Sequence, residues 1–134
     1  MMGALSTYLE NAWLNTLRGS SYTAPSLYIA LFTSPATEVD FGQEISDPNY
    51  ARQKVNFSIV KQDDDGSSYI ANTDFIEFAA ASEAWGRIVS FAVVDSATKG
   101  EGHMLYYGLA ATPPVVNKGE KLIIRPNELV LSLG

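Results

Sequence analysis

Trp85-Gly86-Arg87-Ile88-Val89-Ser90-Phe91-Ala92-Val93-Val94-Asp95, then Ser96-Ala97-Thr98-Lys99-Gly100-Glu101-Gly102, then His103-Met104-Leu105-Tyr106-Tyr107-Gly108, carries the strongest strand signal in the chain. Two runs rich in Val, Ile, Phe and Tyr flank a short insert of small and charged residues, the pattern of a β-hairpin. Alternation along the first run places Ile88, Ser90, Ala92 and Val94 on one face and Val89, Phe91 and Val93 on the other. Both faces are largely apolar. A strand covered on both sides belongs at the centre of a sheet inside a sandwich.

Upstream, Leu27-Tyr28-Ile29-Ala30-Leu31-Phe32 is an apolar run of strand length bounded by Pro25 and by Ser34-Pro35, and it reads as a second central strand. Arg52 to Ile59 alternates, with Val55, Phe57 and Ile59 inward and Lys54, Asn56 and Ser58 outward, as a half-exposed strand does. The turn Asp63-Asp64-Asp65-Gly66 leads to Tyr69-Ile70-Ala71, and Asp74 to Phe78 follows as a further strand. Ala79 to Ala84 is alanine-rich and reads as a helical turn or crossover. Leu122-Ile123-Ile124 and Leu129 to Leu133 close the series, separated by Pro126-Asn127. The expected fold is all-β: a single-domain antiparallel β-sandwich over residues 1–134, jelly-roll-like, of about eight strands.

An N-terminal α-helix is expected over residues 4–17, where Leu5, Tyr8, Leu9, Ala12, Trp13, Thr16 and Leu17 recur at helical spacing and Gly19 ends the run. Its apolar stripe packs across the sandwich or mediates contact between subunits. Residues 33–50 hold two Pro, Asp40 and Gly42 but few strand formers, so they form a long loop or arm. That length marks either a partner contact or a surface crossover. The expected interface residues are Leu5, Tyr8, Leu9 and Trp13 from the helix and Glu38, Phe41, Tyr50 and Arg52 from the loop and its end. Met1 and Gly134 are expected to be docked, on a neighbouring chain or on their own.

The chain has 134 residues, enough to bury roughly two-thirds of its unfolded surface without a staple. It lacks cysteine, which removes disulfides and zinc–thiolate sites. A net charge of −6, with nine scattered Lys and Arg, argues against nucleic-acid binding. No apolar run approaches the ~20 residues that span a bilayer. The first residues lack a basic start and a continuous apolar core, so a product made and kept in a cytoplasm is expected.

No catalytic constellation emerges, and no cofactor is expected. His103 is the only histidine, with no Cys or second His to join it in a metal site or nucleophilic pair. Gly66-Ser67-Ser68 lacks the frame of a nucleophile elbow, and Gly100-Glu101-Gly102 lies between strands, not ahead of a helix. Asp63-Asp64-Asp65-Gly66 has adjacent aspartates, unlike the alternating ligands of a calcium loop, and reads as a solvated hairpin turn. Tyr22, Tyr28, Tyr50, Trp85, Tyr106 and Tyr107 can form a sugar platform, but most sit in strand patterns where core packing accounts for them.

Several motifs occur together and in order: the helix, Leu27 to Ser34, Glu44-Ile45-Ser46 leading to Tyr50-Ala51-Arg52-Gln53, Trp85-Gly86 ahead of a strand ending in Asp95, and Leu105-Tyr106-Tyr107-Gly108. In this the chain resembles a family of small virion proteins of tailed bacteriophages, often labelled tail-fibre-like. It departs from that family at Asp47-Pro48-Asn49, where Gly-Gly is usual, and at Phe91-Ala92-Val93-Val94-Asp95, where Phe-Gly-Ile-Phe-Asp is favoured. The resemblance implies a non-enzymatic structural protein of the particle. It is expected to be a homo-oligomer, a trimer by analogy, that contacts the major capsid protein or another virion protein. Of two roles, capsid decoration (cement) is favoured over a tail fibre or a receptor- or carbohydrate-binding tail component, because the chain is short and has no repetitive shaft strands.

Overall fold

A computed structural model of the chain describes residues 2–133; the expected docking of Met1 and Gly134 lies outside them. In chain order the elements are β1 (Met2–Leu5), α1 (Thr7–Leu17), β2 (Leu27–Phe32), β3 (Gln53–Val55), β4 (Lys61–Gln62), β5 (Ser68–Ala71), β6 (Ile76–Glu77), β7 (Gly86–Arg87), β8 (Ser90–Val94), β9 (Met104–Leu109), β10 (Val115–Val116), β11 (Ile123–Ile124) and β12 (Val130–Ser132). Every pairing is antiparallel, and the fold is all-β and sandwich-like, as its sequence implies.

One layer is a five-stranded sheet in the order β1-β9-β8-β2-β3. The other is divided among three short ladders, β12-β5-β4, β11-β6 and β10-β7. The strand count therefore exceeds eight because the second layer is broken into two- and three-residue pieces. Between the layers lies the main core: Ile29, Leu31, Phe91, Val93 and Tyr106 from the large sheet against Ile76, Val116 and Leu131 from the ladders and Phe78, Trp85 and Leu129 next to them in the chain. On the large sheet's other face Ala30, Phe32, Ala92, Val94 and Met104 form a smaller core, covered by Ala36 and Phe41 of the loop. All five residues of β8 are buried, as the two-sided apolar pattern requires.

The 85–95 run is nonetheless two strands. Gly86 has φ +81°, a left-handed conformation that glycine adopts without steric cost, and opens β7 paired with Val116 in the second layer. Beyond it the chain changes layers within one residue: the Ile88 N–H donates to Pro114 O (2.8 Å) and the Val89 N–H to Phe32 O (2.9 Å). Ile88 consequently packs in the main core with Phe91 and Val93, and Val89 is half-buried, unlike the expected alternation.

A second layer change explains Ile59, expected inward but 82% exposed. After β3 the chain leaves the large sheet, bridges Asn72 at Phe57, and bonds Ser58 N–H to Ala71 O at 2.8 Å. Residues 79–84 form bends without a helix, held by the Ala81 N–H to Glu120 O at 2.9 Å.

The helix begins at Thr7, not at Ala4. Residues 2–5 pair instead with β9, and Ser6 caps α1 by accepting the Leu9 N–H on Oγ at 3.2 Å. Gly19, at φ +101°, ends it.

Asn72 fastens the second layer. Fully buried, it donates from Nδ2 to Asp74 O and Arg125 O (2.9 Å each) and accepts the Leu129 N–H on Oδ1 at 2.9 Å. Asn72→Ala strands one buried N–H and frees two carbonyls, so it is expected to lower stability by roughly 2–4 kcal/mol in urea denaturation, with the slope unchanged.

Candidate functional site

The expected interface residues divide into an inward set and an outward set. Tyr50 and Arg52 face inward and are buried. The Arg52 guanidinium forks onto the Glu44 carboxylate (Nε to Oε2 2.9 Å, Nη2 to Oε1 3.0 Å), and its Nη1 donates to Ser96 O at 2.9 Å and Glu101 O at 2.8 Å. The Tyr50 hydroxyl donates to Glu44 Oε2 at 2.6 Å and accepts the Leu31 N–H at 3.0 Å. Burial, then the adjoining carboxylate, pushes the Tyr50 hydroxyl's pKa far up, so it remains a donor. Phe41 is half-buried, stacking on Phe32 with Arg52 over its ring at 5.5 Å. Glu38 is exposed, and its carbonyl accepts the Thr7 N–H at 3.1 Å, which pins the loop to the start of α1.

A second buried carboxylate lies in the same loop. Asp47 accepts the Trp85 Nε1–H (2.7 Å), the Ser82 N–H (2.7 Å), the Asn49 N–H (3.0 Å) and the Ser82 hydroxyl. Desolvation alone would raise its pKa, but the bonds from Ser82, Asn49 and Trp85 outweigh it and hold the carboxyl well below the usual range. With Ala36 and Ile45 also buried, residues 33–50 are irregular in backbone yet packed onto the body.

His103 and the acidic turn make local bonds. His103 Nδ1 lies 3.1 Å from Asp95 Oδ2, and its ring stacks on Tyr8 with centroids 4.0 Å apart. The Asp63–Gly66 segment is the turn between β4 and β5, closed by the Gly66 N–H to Asp63 O at 3.0 Å. A hydrogen bond with Asp65, some burial and the neighbouring charge push the Asp63 carboxyl up, while Asp65 is held down to about 2. Among the described residues, no helix is long and apolar enough to cross a membrane.

The outward set is apolar and lies on and beside α1. Of its stripe only Leu9 is buried; Leu5 is half-buried, Tyr8 and Trp13 are more than 40% exposed, Leu14 is 61% exposed and Leu17 85%. An open groove of about 330 Å³ separates α1 from the β12-β5-β4 ladder. Leu5, Leu9 and Trp13 form one wall, and Phe57, Val60, Tyr69, Ile70, Leu131 and Leu133 the other. Leu5 and Trp13 also line a shallower recess with Leu14, Leu17 and Tyr22, so the two depressions form one continuous surface.

Sequence reasoning found the helical half of this surface. It missed Leu14, which falls between the stripe and the polar face, and Val60 and Leu133, which lie at the ends of strand runs. The signal available was the adjacency of Ile59 and Val60, two large apolar residues in succession where one must face water.

Among the described residues every fully buried side-chain nitrogen and oxygen has a partner, while an apolar surface on and beside α1 is left open. The profile of one family, podophage GP4 fiber I protein gp80, matches residues 4–132. The chain belongs to that family. No curated protein matches it. As a gp80-family member it is a structural protein of a bacteriophage particle. The match runs from β1 to the end of β12 and so includes the groove's walls except Leu133.

Two variants test the internal networks of this gp80-family protein. Arg52→Ala leaves Glu44 buried without its counter-ion and is expected to cost about 3–5 kcal/mol in chemical denaturation, with Arg52→Lys failing to restore the fork. Asp47 has a lower pKa folded than unfolded. Its contribution is therefore complete above the ordinary carboxylate pKa, about 3.9, and is lost as pH falls below that value. Asp47→Asn is expected to lower the melting temperature at pH 7, and the gap from the native protein should narrow between pH 4 and pH 2.

Proposed function

We propose that this protein is a non-enzymatic component of a podophage tail fibre, built into the particle through the apolar surface around α1. The observation that carries the reading is the exposure of Trp13, Leu14 and Leu17 beside a groove of nearly all apolar lining, on a domain that satisfies its buried polar side chains internally. Isolated exposed leucines are ordinary, whereas a continuous apolar surface marks a site of contact. The fibre description of the family supports a tail position over the capsid-decoration role that chain length favours.

A second reading has its own observation. Tyr8, Asn11, Glu38, Phe41 and His103 line a recess of mixed polarity and about 320 Å³ at the start of α1, where aromatic rings adjoin amide and carboxylate groups, the lining of a carbohydrate site. Binding on a glycan array that is lost in Tyr8→Ala supports this reading, and an array without hits removes it.

Quantitative mass spectrometry of purified particles tests the main proposal. A few copies per particle are expected, far below the major capsid protein; a ratio near parity places the protein on the capsid instead. Leu17→Glu, at a position 85% exposed, is expected to leave the fold intact and to reduce incorporation to background.

A further inference from the structure

We propose that His103 is a proton-strengthened clasp, which on acidification tightens the hold of the β8–β9 turn on α1. The clasp belongs to the fold and stands apart from the fibre role.

It is built around the Asp95 carboxylate, at the end of β8. Asp95 and His103 close the 96–102 turn as a pair: the Asp95 N–H donates to His103 O at 3.2 Å, and the His103 N–H donates to Asp95 Oδ1, a side chain standing in for the backbone acceptor. Gly102 leaves room for it. Its φ is +82°, and a Cβ there would lie 2.6 Å from Asp95 Oδ1 and 2.5 Å from Ser96 Cβ. With Oδ1 fixed in this way, Oδ2 lies 3.1 Å from the imidazole Nδ1. The Asp95 side chain is 17% exposed and the His103 side chain 57%, so the ring exchanges protons with solvent while its counter-ion is largely withdrawn from water. The imidazole also stacks on Tyr8, with ring planes 4° apart. Tyr8 lies in the first turn of α1, so one ring joins the end of β8, the turn after it and the helix.

His103 is the only histidine of the chain, and histidine is the side chain that ordinarily changes charge between pH 5 and pH 8. Neutral, with its proton on Nδ1, the ring donates one hydrogen bond to Asp95 and stacks. Charged, it adds an ion pair to the carboxylate and a cation over the π face of Tyr8. The surroundings favour that charge. Burial, then Tyr8 and Asp95, push the Tyr22 hydroxyl up, so it stays neutral through this range. Glu38 lines the same recess, and Glu10 of α1 joins it beside Tyr107. Of the turn's own charges, Glu101 is acidic and the Lys99 ammonium lies over the Tyr50 ring, 5.8 Å from its centroid. Arg52, bonded to the turn's carbonyls, is neutralised by Glu44. The fold thus gains from the charged form of His103. That gain is complete below about pH 6.5, the ordinary histidine value, and is lost as pH rises beyond it.

Thermal melting of the full chain at pH 5 and pH 8, native against His103→Gln, tests the clasp, with the imidazole resonances of the only histidine followed by NMR over the same range. The lead of the native protein over His103→Gln is expected to be about 1–4 °C greater at pH 5 than at pH 8, and to change in step with the imidazole titration. Asp95→Asn keeps an oxygen for the His103 N–H but removes the charge. In that background the lead is expected to be equal at the two pH values, and Tyr8→Leu, which leaves Asp95 in place, is expected to reduce the difference without abolishing it. A lead that is the same at pH 5 and pH 8 in the native background overturns the proposal, as does a pH-dependent lead that persists undiminished in Asp95→Asn or that does not follow the imidazole titration.

Discussion

The bidentate pair between Arg52 and Glu44 is the constraint on which the rest of the arrangement depends. A buried guanidinium must have nearly all its N–H groups satisfied, and these come from three places: the Glu44 carboxylate, the Ser96 carbonyl and the Glu101 carbonyl. Glu44 lies in the long loop, and Ser96 and Glu101 bracket the turn between β8 and β9. One side chain thus joins a loop without regular structure to the central hairpin. Tyr50 extends the link to β2 through the Leu31 N–H. The loop can then cover the small core on the outer face of the large sheet, which leaves β8 buried on both sides.

Asp47 does the corresponding work for the second layer. Its bonds from Trp85 and Ser82 hold the chain just ahead of β7, from which it crosses to the central sheet at Ile88–Val89. The two carboxylates thus flank the passage from one layer to the other, and both have their acceptor capacity filled by nearby donors. Among the described residues, no fully buried side-chain nitrogen or oxygen lacks a partner. Glu44, Asp47, Tyr50 and Arg52 are therefore engaged in building the domain, whereas the apolar side chains of Trp13, Leu14 and Leu17 on α1 remain exposed.

The fold was legible where a residue's environment follows from its immediate neighbours. The apolar runs at Leu27–Phe32 and Ser90–Val94 mark the two central strands because burial on both faces leaves no position for a polar side chain apart from Ser90, whose hydroxyl donates to Ser34 O at 2.7 Å. It was not legible where the chain changes layers. Alternation assumes that a strand stays in one sheet, so a transfer within a single residue at Ile88–Val89, or across Phe57, inverts which side chains face the core. Local sequence records such a transfer only as Gly86 in the first case and not at all in the second. The site was half legible for the same reason. Helical periodicity identifies Leu9 and Trp13, but whether a stripe meets its own sheet or another molecule depends on how far the helix stands from that sheet.

That distance has a physical origin. Ser6 is bonded twice, through its N–H to Leu105 O and its hydroxyl to the Leu9 N–H, so α1 leaves the edge of the large sheet at a fixed point and in a fixed direction. The Thr7 N–H, held by Glu38 O, ties its first turn to the 33–50 loop. Anchored at that end, α1 buries Leu9 and leaves Trp13, Leu14 and Leu17 of its later turns exposed. These bonds fasten only the capped end of α1, so the apolar surface of its later turns coexists with a core in which, among the described residues, every fully buried side-chain nitrogen and oxygen is bonded.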